Sequence, residues 1–371
     1  MKWVPDERYK VTNPAAIDSP ALLVFPDVIA GNIDRALTLT ATDGGHCLQP
    51  HIKTVKCREV ADMALGRGIT RFKCSTVSEG ELLGQAGAER VLLSYQLSAT
   101  KARRWRQLRR LFPATEFASL IDNADSARVA ADCFADDLLP VYLDLNVGMD
   151  RTGVKPSDVP ELLRRMESLT GLMIKGFHVY DGHLRDAEEG VRRRRAEAIL
   201  DEVLQLRASA EALLGTELEI VVAGSPNFPF YVGRPRVWVS PGTFFLWDAG
   251  YGEVFGEWKF DPAALVITRV LSVVDERTLC FDLGSKAVSP DKAQPRMYFP
   301  EIPSYEVMGQ WEEHLVLRVP DTTNYTVGDP FYAVPSHVCT TVNLYEEILP
   351  VTEGRVGEPW RVVARDRRIS V

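Results

Sequence analysis

The 371-residue chain lacks most features of secreted, membrane-spanning and nucleic-acid-binding proteins. Its six cysteines form no CxxC pair and no dense cluster, so we expect free thiols in a reducing compartment, not a disulfide framework. No apolar stretch approaches the length of a membrane span, and Met1 to Lys10 show no signal-peptide core. The formal net charge of −8 argues against a nucleic-acid partner. These absences predict a cytoplasmic protein with neither a membrane nor a nucleic-acid partner.

Short apolar runs alternate with helix-length amphipathic segments between Leu48 and about Thr243. The eight apolar runs are Leu48–Lys53, Thr70–Ser75, Arg90–Tyr95, Glu116–Ile121, Pro140–Asn146, Met173–Tyr180, Glu219–Gly224 and Arg236–Ser240. Eight strands, most of them followed by a helix, predict a (β/α)₈ TIM-type barrel in the α/β class. A doubly wound sheet is the alternative, but it normally has fewer strands and a Gly-rich turn after the first. No such turn follows Lys53.

The sequence pattern changes after Gly256, where short Val-rich runs are separated by Pro and Gly. The runs are Ala264–Val274, Thr278–Leu283, His314–Val319, Phe331–Val334, Val338–Leu344 and Trp360–Ala364. They predict a C-terminal all-β domain, and the early run Ala21–Phe25 could pair with it. We therefore expect a barrel domain over residues 20–255 and a β-domain over 256–371, onto which residues 1–19 could also pack.

Lys53 ends the first apolar run, immediately before a helix-like segment. This is where parallel α/β folds gather catalytic groups, and a partly desolvated lysine can attack a carbonyl. The turns after the seventh and eighth runs contain Gly224 and Ser225, and Gly242 and Thr243, which suit a phosphate. Each motif alone is equally compatible with an ordinary surface lysine or an ordinary turn.

Three further stretches carry candidate functional side chains. Arg151 follows the fifth run in a glycine-flanked loop, where it could clamp an anionic oxygen or form a structural ion pair. His178 and Tyr180 share one face of the sixth run, so both could point into the barrel. His337 and Cys339 would share a face if their segment is a strand, and nitrogen with soft sulfur suits zinc. A His-x-Cys pair on its own is commonly coincidental.

Together these features resemble the pyridoxal-phosphate enzymes of the alanine racemase fold, specifically the D-threonine aldolase and D-serine dehydratase group. The matching stretches are residues 50–54, 148–154, 180–183, 224–226, 241–243 and 335–344. They span nearly the whole chain in the family's order.

The resemblance implies a role for each candidate residue. Lys53 would carry pyridoxal phosphate as a Schiff base, and the two glycine-bearing turns would hold its phosphate. Arg151 would lie near the phenolic oxygen or the substrate carboxylate, and Tyr180 and His51 would act beside Lys53 in catalysis. His337 and Cys339 would bind a divalent metal, zinc or manganese, and the enzyme would be a homodimer acting on a small D-amino acid.

Two clues within the resemblance disagree about the reaction. Aldolases of the group typically pair the metal-binding histidine with aspartate and dehydratases pair it with cysteine, so Cys339 favours dehydration. Residues 180–185 resemble the aldolase branch and cover more positions. We therefore expect cleavage of D-threonine-type substrates to glycine and an aldehyde, with a D-serine or 3-hydroxy-D-aspartate dehydratase as the alternative. A racemase would have no use for the metal pair, and a non-catalytic cofactor-binding protein would leave the β-domain without a role.

Overall fold

The computed structural model describes residues 3–371 and contains parallel and antiparallel sheets. The strands are β1 Ala21–Val24, β2 Ala41–Thr42, β3 Gly45–His46, β4 Arg71–Cys74, β5 Arg90–Gln96, β6 Glu116–Ile121, β7 Leu139–Leu145, β8 Leu172–Val179, β9 Glu219–Val222, β10 Val237–Val239, β11 Ala264–Asp275, β12 Thr278–Phe281, β13 Met297–Tyr298, β14 Glu306–Gln310, β15 Leu315–Arg318, β16 Pro330–Pro335, β17 Glu347–Thr352, β18 Arg355–Val356 and β19 Trp360–Arg361. The helices are α1 Pro26–Leu39, α2 Arg58–Leu65, α3 Val77–Ala86, α4 Ala99–Leu111, α5 Ala124–Cys133, α6 Val159–Met166, α7 Glu189–Leu214, α8 Ala249–Val254 and α9 Val338–Val342.

The chain divides into two compact units. The β-unit comprises the chain up to Arg35, Thr54–Val60 and Thr243–Val363. The barrel unit comprises Ala36–Lys53, Ala61–Gly242 and Ala364–Val371. The domain boundaries expected from the sequence, 20–255 and 256–371, stay a prediction, and residues 1 and 2 of the expected amino-terminal segment lie outside the described residues.

The barrel unit is built on seven parallel strands in the order β10-β9-β8-β7-β6-β5-β4. The first predicted run closes this sheet, because Leu48 forms a parallel bridge to Val239 and His51 forms one to Lys73. The eight-stranded barrel predicted from the sequence is therefore confirmed. Its first strand is irregular: only these bridges form, and a 3₁₀ turn, Ile52–Thr54, follows directly.

The β-unit holds a sheet in the order β14-β15-β12-β11-β1-β17-β18. Strand β1 pairs with β11 antiparallel and with β17 parallel, so the predicted pairing of the early run is confirmed. Strand β17 was not predicted. The N-terminal segment also contacts this sheet, since Arg269 donates to the carbonyls of Pro14 and Ile17.

The prediction of a strand over Val338–Leu344 is wrong, because Val338–Val342 form the short helix α9. Its β-branched residues favour a strand locally, but tertiary contacts override that preference. The Val338 N–H donates to buried Asp248 at 3.1 Å, and both Thr341 N–H and Oγ1 donate to the His337 carbonyl. His337 is therefore the residue that precedes the helix, not a strand residue.

Two expectations from composition can be compared with the structure directly. All six cysteines are free thiols. In residues 3–371, the helices are all too short or too polar to cross a bilayer.

We predict that Gly176→Ala strongly destabilises the barrel. Gly176 lies in β8 opposite Glu219, and a Cβ there would lie 1.9 Å from the Glu219 carbonyl oxygen. The two strands would have to separate, which we expect to lower the free energy of unfolding by about 2 kcal/mol or more. Gly31→Ala is the control, since nothing lies within 4 Å of its added Cβ in α1. Denaturant unfolding of both variants checks the prediction, and equal stabilities would contradict it.

Candidate cofactor and metal sites

Lys53 lies in the 3₁₀ turn at the carboxyl end of the first barrel strand. Its backbone N–H donates to His51 Nδ1 at 3.3 Å. The neutral His51 ring therefore carries its hydrogen on Nε2, which lies 3.1 Å from Ser75 Oγ and 3.3 Å from Ser94 Oγ. The structure thus gives His51 a clear part in fixing the backbone at Lys53. The Lys53 side chain is half-buried, and within residues 3–371 no hydrogen bond reaches its Nζ, so the amine is available to a ligand.

The two predicted phosphate turns are linked to each other and to a buried carboxylate. The Gly242 N–H donates to Ser225 Oγ at 3.1 Å, and the Gly224 N–H donates to Asp181 Oδ1 at 3.0 Å. Tyr231 donates to the other Asp181 oxygen at 3.0 Å. Burial raises the pKa of Asp181, although these donors and Asn227 act in the opposite direction. Asp181 organises the turn and was not among the sequence candidates.

Tyr180 is held between two glycines and beside Arg151. An added Cβ would lie 2.4 Å from the Tyr180 ring at Gly182 and 3.2 Å from it at Gly224. The Arg151 guanidinium carbon lies 4.8 Å from the ring centroid, within the range of a cation–π contact. The structure therefore brings together Arg151, Tyr180 and Gly224, which the sequence could only suggest as separate motifs.

Inside the barrel, Lys73 of β4, Asp144 of β7 and His178 of β8 form a polar network. His178 Nδ1 lies 2.7 Å from Asp144 Oδ1, and Lys73 Nζ lies 3.4 Å from His178 Nε2. Burial and then the positive charge of Lys53 lower the pKa of Lys73 to about 7. Sequence reasoning missed Lys73 and Asp144; the available signal was a charged residue inside each predicted buried strand.

Both partners of Lys73 have shifted pKa values as well. Burial, followed by the charge of Lys73, lowers the pKa of His178. Burial would raise the pKa of Asp144, but hydrogen bonds from His178, Thr152 and Gln96 outweigh it and lower that pKa. Asp144 is therefore ionised at neutral pH.

The β-unit brings His337 and Cys339 together, though not by the strand geometry expected from the sequence. Burial acts to lower the pKa of His337, but hydrogen bonds to Cys339 and Asp291 outweigh it and raise the pKa to about 9. His337 Nδ1 lies 2.5 Å from Asp291 Oδ2. Cys339 Sγ lies 3.2 Å from Thr54 Oγ1 and 3.5 Å from Thr243 Oγ1, so the Thr243 hydroxyl lies beside the thiol.

This donor set fits a divalent metal. A carboxylate on one imidazole nitrogen is the usual arrangement around a metal-binding histidine, and it leaves the other nitrogen for the ion. Nitrogen with thiolate sulfur suits zinc. Residues 3–371 contain no cluster of three or more histidine, cysteine or acidic side chains that could enclose an ion. Two protein donors would leave the remaining positions open to water and substrate.

Comparison with known families covers nearly the whole chain. The alanine racemase N-terminal domain matches residues 26–247, which is more than half of the chain, and a putative serine dehydratase domain matches residues 263–351. D-threonine aldolase of Arthrobacter sp. is 26% identical over 95% of this chain and 93% of its own length. 3-hydroxy-D-aspartate aldolase of Paracoccus denitrificans (strain Pd 1222) is 25% identical with the same coverages.

Solved structures give the same fold. D-threonine aldolase from Filomicrobium marinum has a TM-score of 0.84 at 26% identity, covering 95% of this chain and 96% of that one. D-threo-3-hydroxyaspartate dehydratase from Delftia sp. HT23 has a TM-score of 0.80 at 21% identity, covering 94% and 98%. A parallel barrel with a separate β-sheet unit thus defines an alanine-racemase-type protein of the pyridoxal-phosphate-dependent class. Within that class, the chain belongs to the D-threonine aldolase and D-serine dehydratase family.

We predict that Lys73 makes the stability of the cofactor-free protein depend on pH. Between about pH 7, the folded pKa of Lys73, and 10.5, its ordinary value, only the unfolded chain holds the proton. The free energy of unfolding should therefore rise with pH in this window, by at most about 1.4 kcal/mol per pH unit. Lys73→Met should lack this contribution. Urea unfolding of both proteins across the window checks it; parallel profiles would show that Lys73 titrates normally.

Proposed function

We propose that this protein is a pyridoxal-phosphate- and divalent-metal-dependent lyase that cleaves D-threonine-type β-hydroxy-D-amino acids to glycine and an aldehyde. The observation that carries the proposal is the arrangement of Lys53, the linked Gly224 and Gly242 turns, and the Arg151–Tyr180 pair in one barrel. Relatives of nearly the same length that bear aldolase names, at 25% and 26% identity, support the reaction type.

The barrel residues fit pyridoxal phosphate by their chemistry. Lys53 offers an amine without a hydrogen-bond partner in residues 3–371, and its position is fixed through His51. Ser225 joins the two turns that would face the phosphate, and Asp181 holds Gly224 in place. The glycine contacts fix the plane of Tyr180, so that its ring and Arg151 would orient the cofactor. The bound cofactor would supply an electron-accepting ring.

The metal donors are assigned to the β-unit. His337 and Cys339 would hold the ion, and Asp291 would keep the histidine ring oriented. The metal would supply a Lewis acid and template for the substrate's β-hydroxyl. Because a thiolate is one of the two donors, we propose zinc in preference to manganese. We also propose a homodimer in the cytoplasm.

A dehydratase that yields a 2-oxo acid and ammonia is the second candidate. Cys339 favours it, since a cysteine beside the metal-binding histidine is typical of the dehydratases in the group this sequence resembles. Arg151 and Tyr180 would serve both reactions in the same way.

Product analysis separates the two reactions. Purified protein with pyridoxal phosphate and zinc is given D-threonine, and separately D-serine. We expect glycine and acetaldehyde from D-threonine. Ammonia and a 2-oxo acid as the only products would show that the protein is a dehydratase and not an aldolase. The L-isomers serve as the control substrates.

We predict that Lys53→Ala abolishes the visible absorbance of the bound cofactor, because no amine remains to anchor it covalently. Lys175→Ala is the matched control, since Lys175 lies on β8 near Glu116. Absorbance spectra after cofactor loading and gel filtration give the answer. A wild-type spectrum from Lys53→Ala would overturn the cofactor assignment.

We predict that His337→Ala keeps the visible absorbance but loses bound metal and most turnover, by at least about 100-fold. The loss follows from the removal of one of the two protein donors. Metal analysis and activity on D-threonine are measured together. Wild-type turnover after both this substitution and exhaustive chelation would remove the metal from the mechanism.

A further inference from the structure

The network of Lys73, His178 and Asp144 has no part in the function proposed above. All three residues are nearly inaccessible to solvent, with exposed fractions of 2%, 3% and 4%. A buried charge is costly unless it is paired, so a lysine at this position requires compensating partners. His178 supplies one partner directly and connects Lys73 to the carboxylate of Asp144.

The network reaches the Arg151 loop through Asp144. Asp144 Oδ2 accepts from Thr152 Oγ1 at 2.8 Å, and the Asp144 backbone carbonyl accepts from the Val154 N–H at 2.9 Å. Thr152 is the residue next to Arg151. Gly153 completes the loop at φ +107°, where an added Cβ would lie 2.6 Å from the Asn146 nitrogen. The loop conformation is therefore tightly specified, and Asp144 holds it by both backbone and side chain.

We propose that Lys73, His178 and Asp144 form a buried hydrogen-bonded network that positions the Arg151 loop. Lys73 is the member of this network that gains or loses a proton. The network's contacts stand independently of the reaction. Only the benefit to the bound cofactor rests on the proposed function, through Arg151.

The charge of the network follows from its hydrogen bonds. When Lys73 is an ammonium, it donates to His178 Nε2, the neutral ring donates from Nδ1 to Asp144, and the charges sum to zero. Loss of one proton from Lys73 to water leaves a neutral amine with its lone pair, and the sum becomes −1. With the Lys73 pKa lowered to about 7, this change falls at neutral pH.

The surrounding charges decide what the change does. Lys53 and Arg151 are the cations near Lys73, and Asp144 and Asp181 are the anions. Arg151 also acts on His178 from its own loop. An extra negative charge attracts Arg151 toward the network and lowers the positive potential available to an anionic ligand. As the pH rises through 7, the backbone amides of the Arg151 loop should therefore become more protected from hydrogen exchange. Over the same range, the affinity for pyridoxal phosphate should fall.

Hydrogen exchange in the cofactor-free protein tests the positioning role directly. Mass spectrometry follows peptides covering residues 144–154 between pH 6 and 8, with rates corrected to those of the free peptide. We expect wild-type protection to change on the order of fivefold across pH 7. Lys73→Met leaves the network at a charge of −1 at every pH, so this loop should keep the high-pH level of protection throughout and show no inflection. Lys175→Met, on β8 with His178 but partly exposed beside Glu116, should behave as wild type.

A second variant and a second measurement keep the test decisive. His178→Gln breaks the connection between Lys73 and Asp144 and should also remove the inflection, even if Lys73→Met does not fold. Titration with pyridoxal phosphate should show an affinity that falls through pH 7 in the wild type but not in either variant. Wild-type protection and pH profiles in both variants would overturn the proposal. A wild-type protein that binds no pyridoxal phosphate would instead overturn the proposed function. The hydrogen-exchange data would still test whether the network positions the Arg151 loop.

Discussion

Closure of the barrel through the short run Leu48–His51 is the constraint on which the rest of the site depends. This run bridges β10 on one side and β4 on the other, so it aligns the first strand with the last and with the second. Because all strands are parallel, their carboxyl ends then meet at one rim. Lys53, the Arg151 loop, Tyr180 and the Gly224 turn each follow one of these strand ends. Strands β7, β8 and β9 are neighbours in the sheet, so closure is what brings Lys53 to the rim that the other three motifs share.

Several buried side chains on the barrel strands are polar, and they position residues at the rim. His51 contacts the hydroxyls of two neighbouring strands and fixes the backbone at Lys53. Asp144 connects His178 to the Arg151 loop. Buried networks of this kind specify one geometry, since each member left without its partner would cost on the order of 1–3 kcal/mol. The β-unit has a similar carboxylate–histidine pair, in which Asp291 orients the ring of His337.

The strand–helix alternation was readable from the sequence because buried parallel strands are short apolar runs. The eight barrel strands were predicted in this way, and the early run Ala21–Phe25 was predicted to pair with the C-terminal β-region. The helix at Val338–Val342 was not, since its β-branched residues favour a strand and only the contact with Asp248 overrides them. Asp291 and Asp181 were missed for a different reason. Each acts through a partner that is distant in sequence, and no local pattern reports such a partner.

The proposed function depends on Lys53 as the amine that anchors the cofactor. The most direct measurement is borohydride reduction of the pyridoxal-phosphate-loaded protein, followed by peptide mapping to find the modified lysine. We expect one pyridoxyl group per chain, on Lys53. Modification of Lys73 in its place would show that the buried lysine is the anchoring amine, and would contradict both the site assignment and the positioning role given to Lys73.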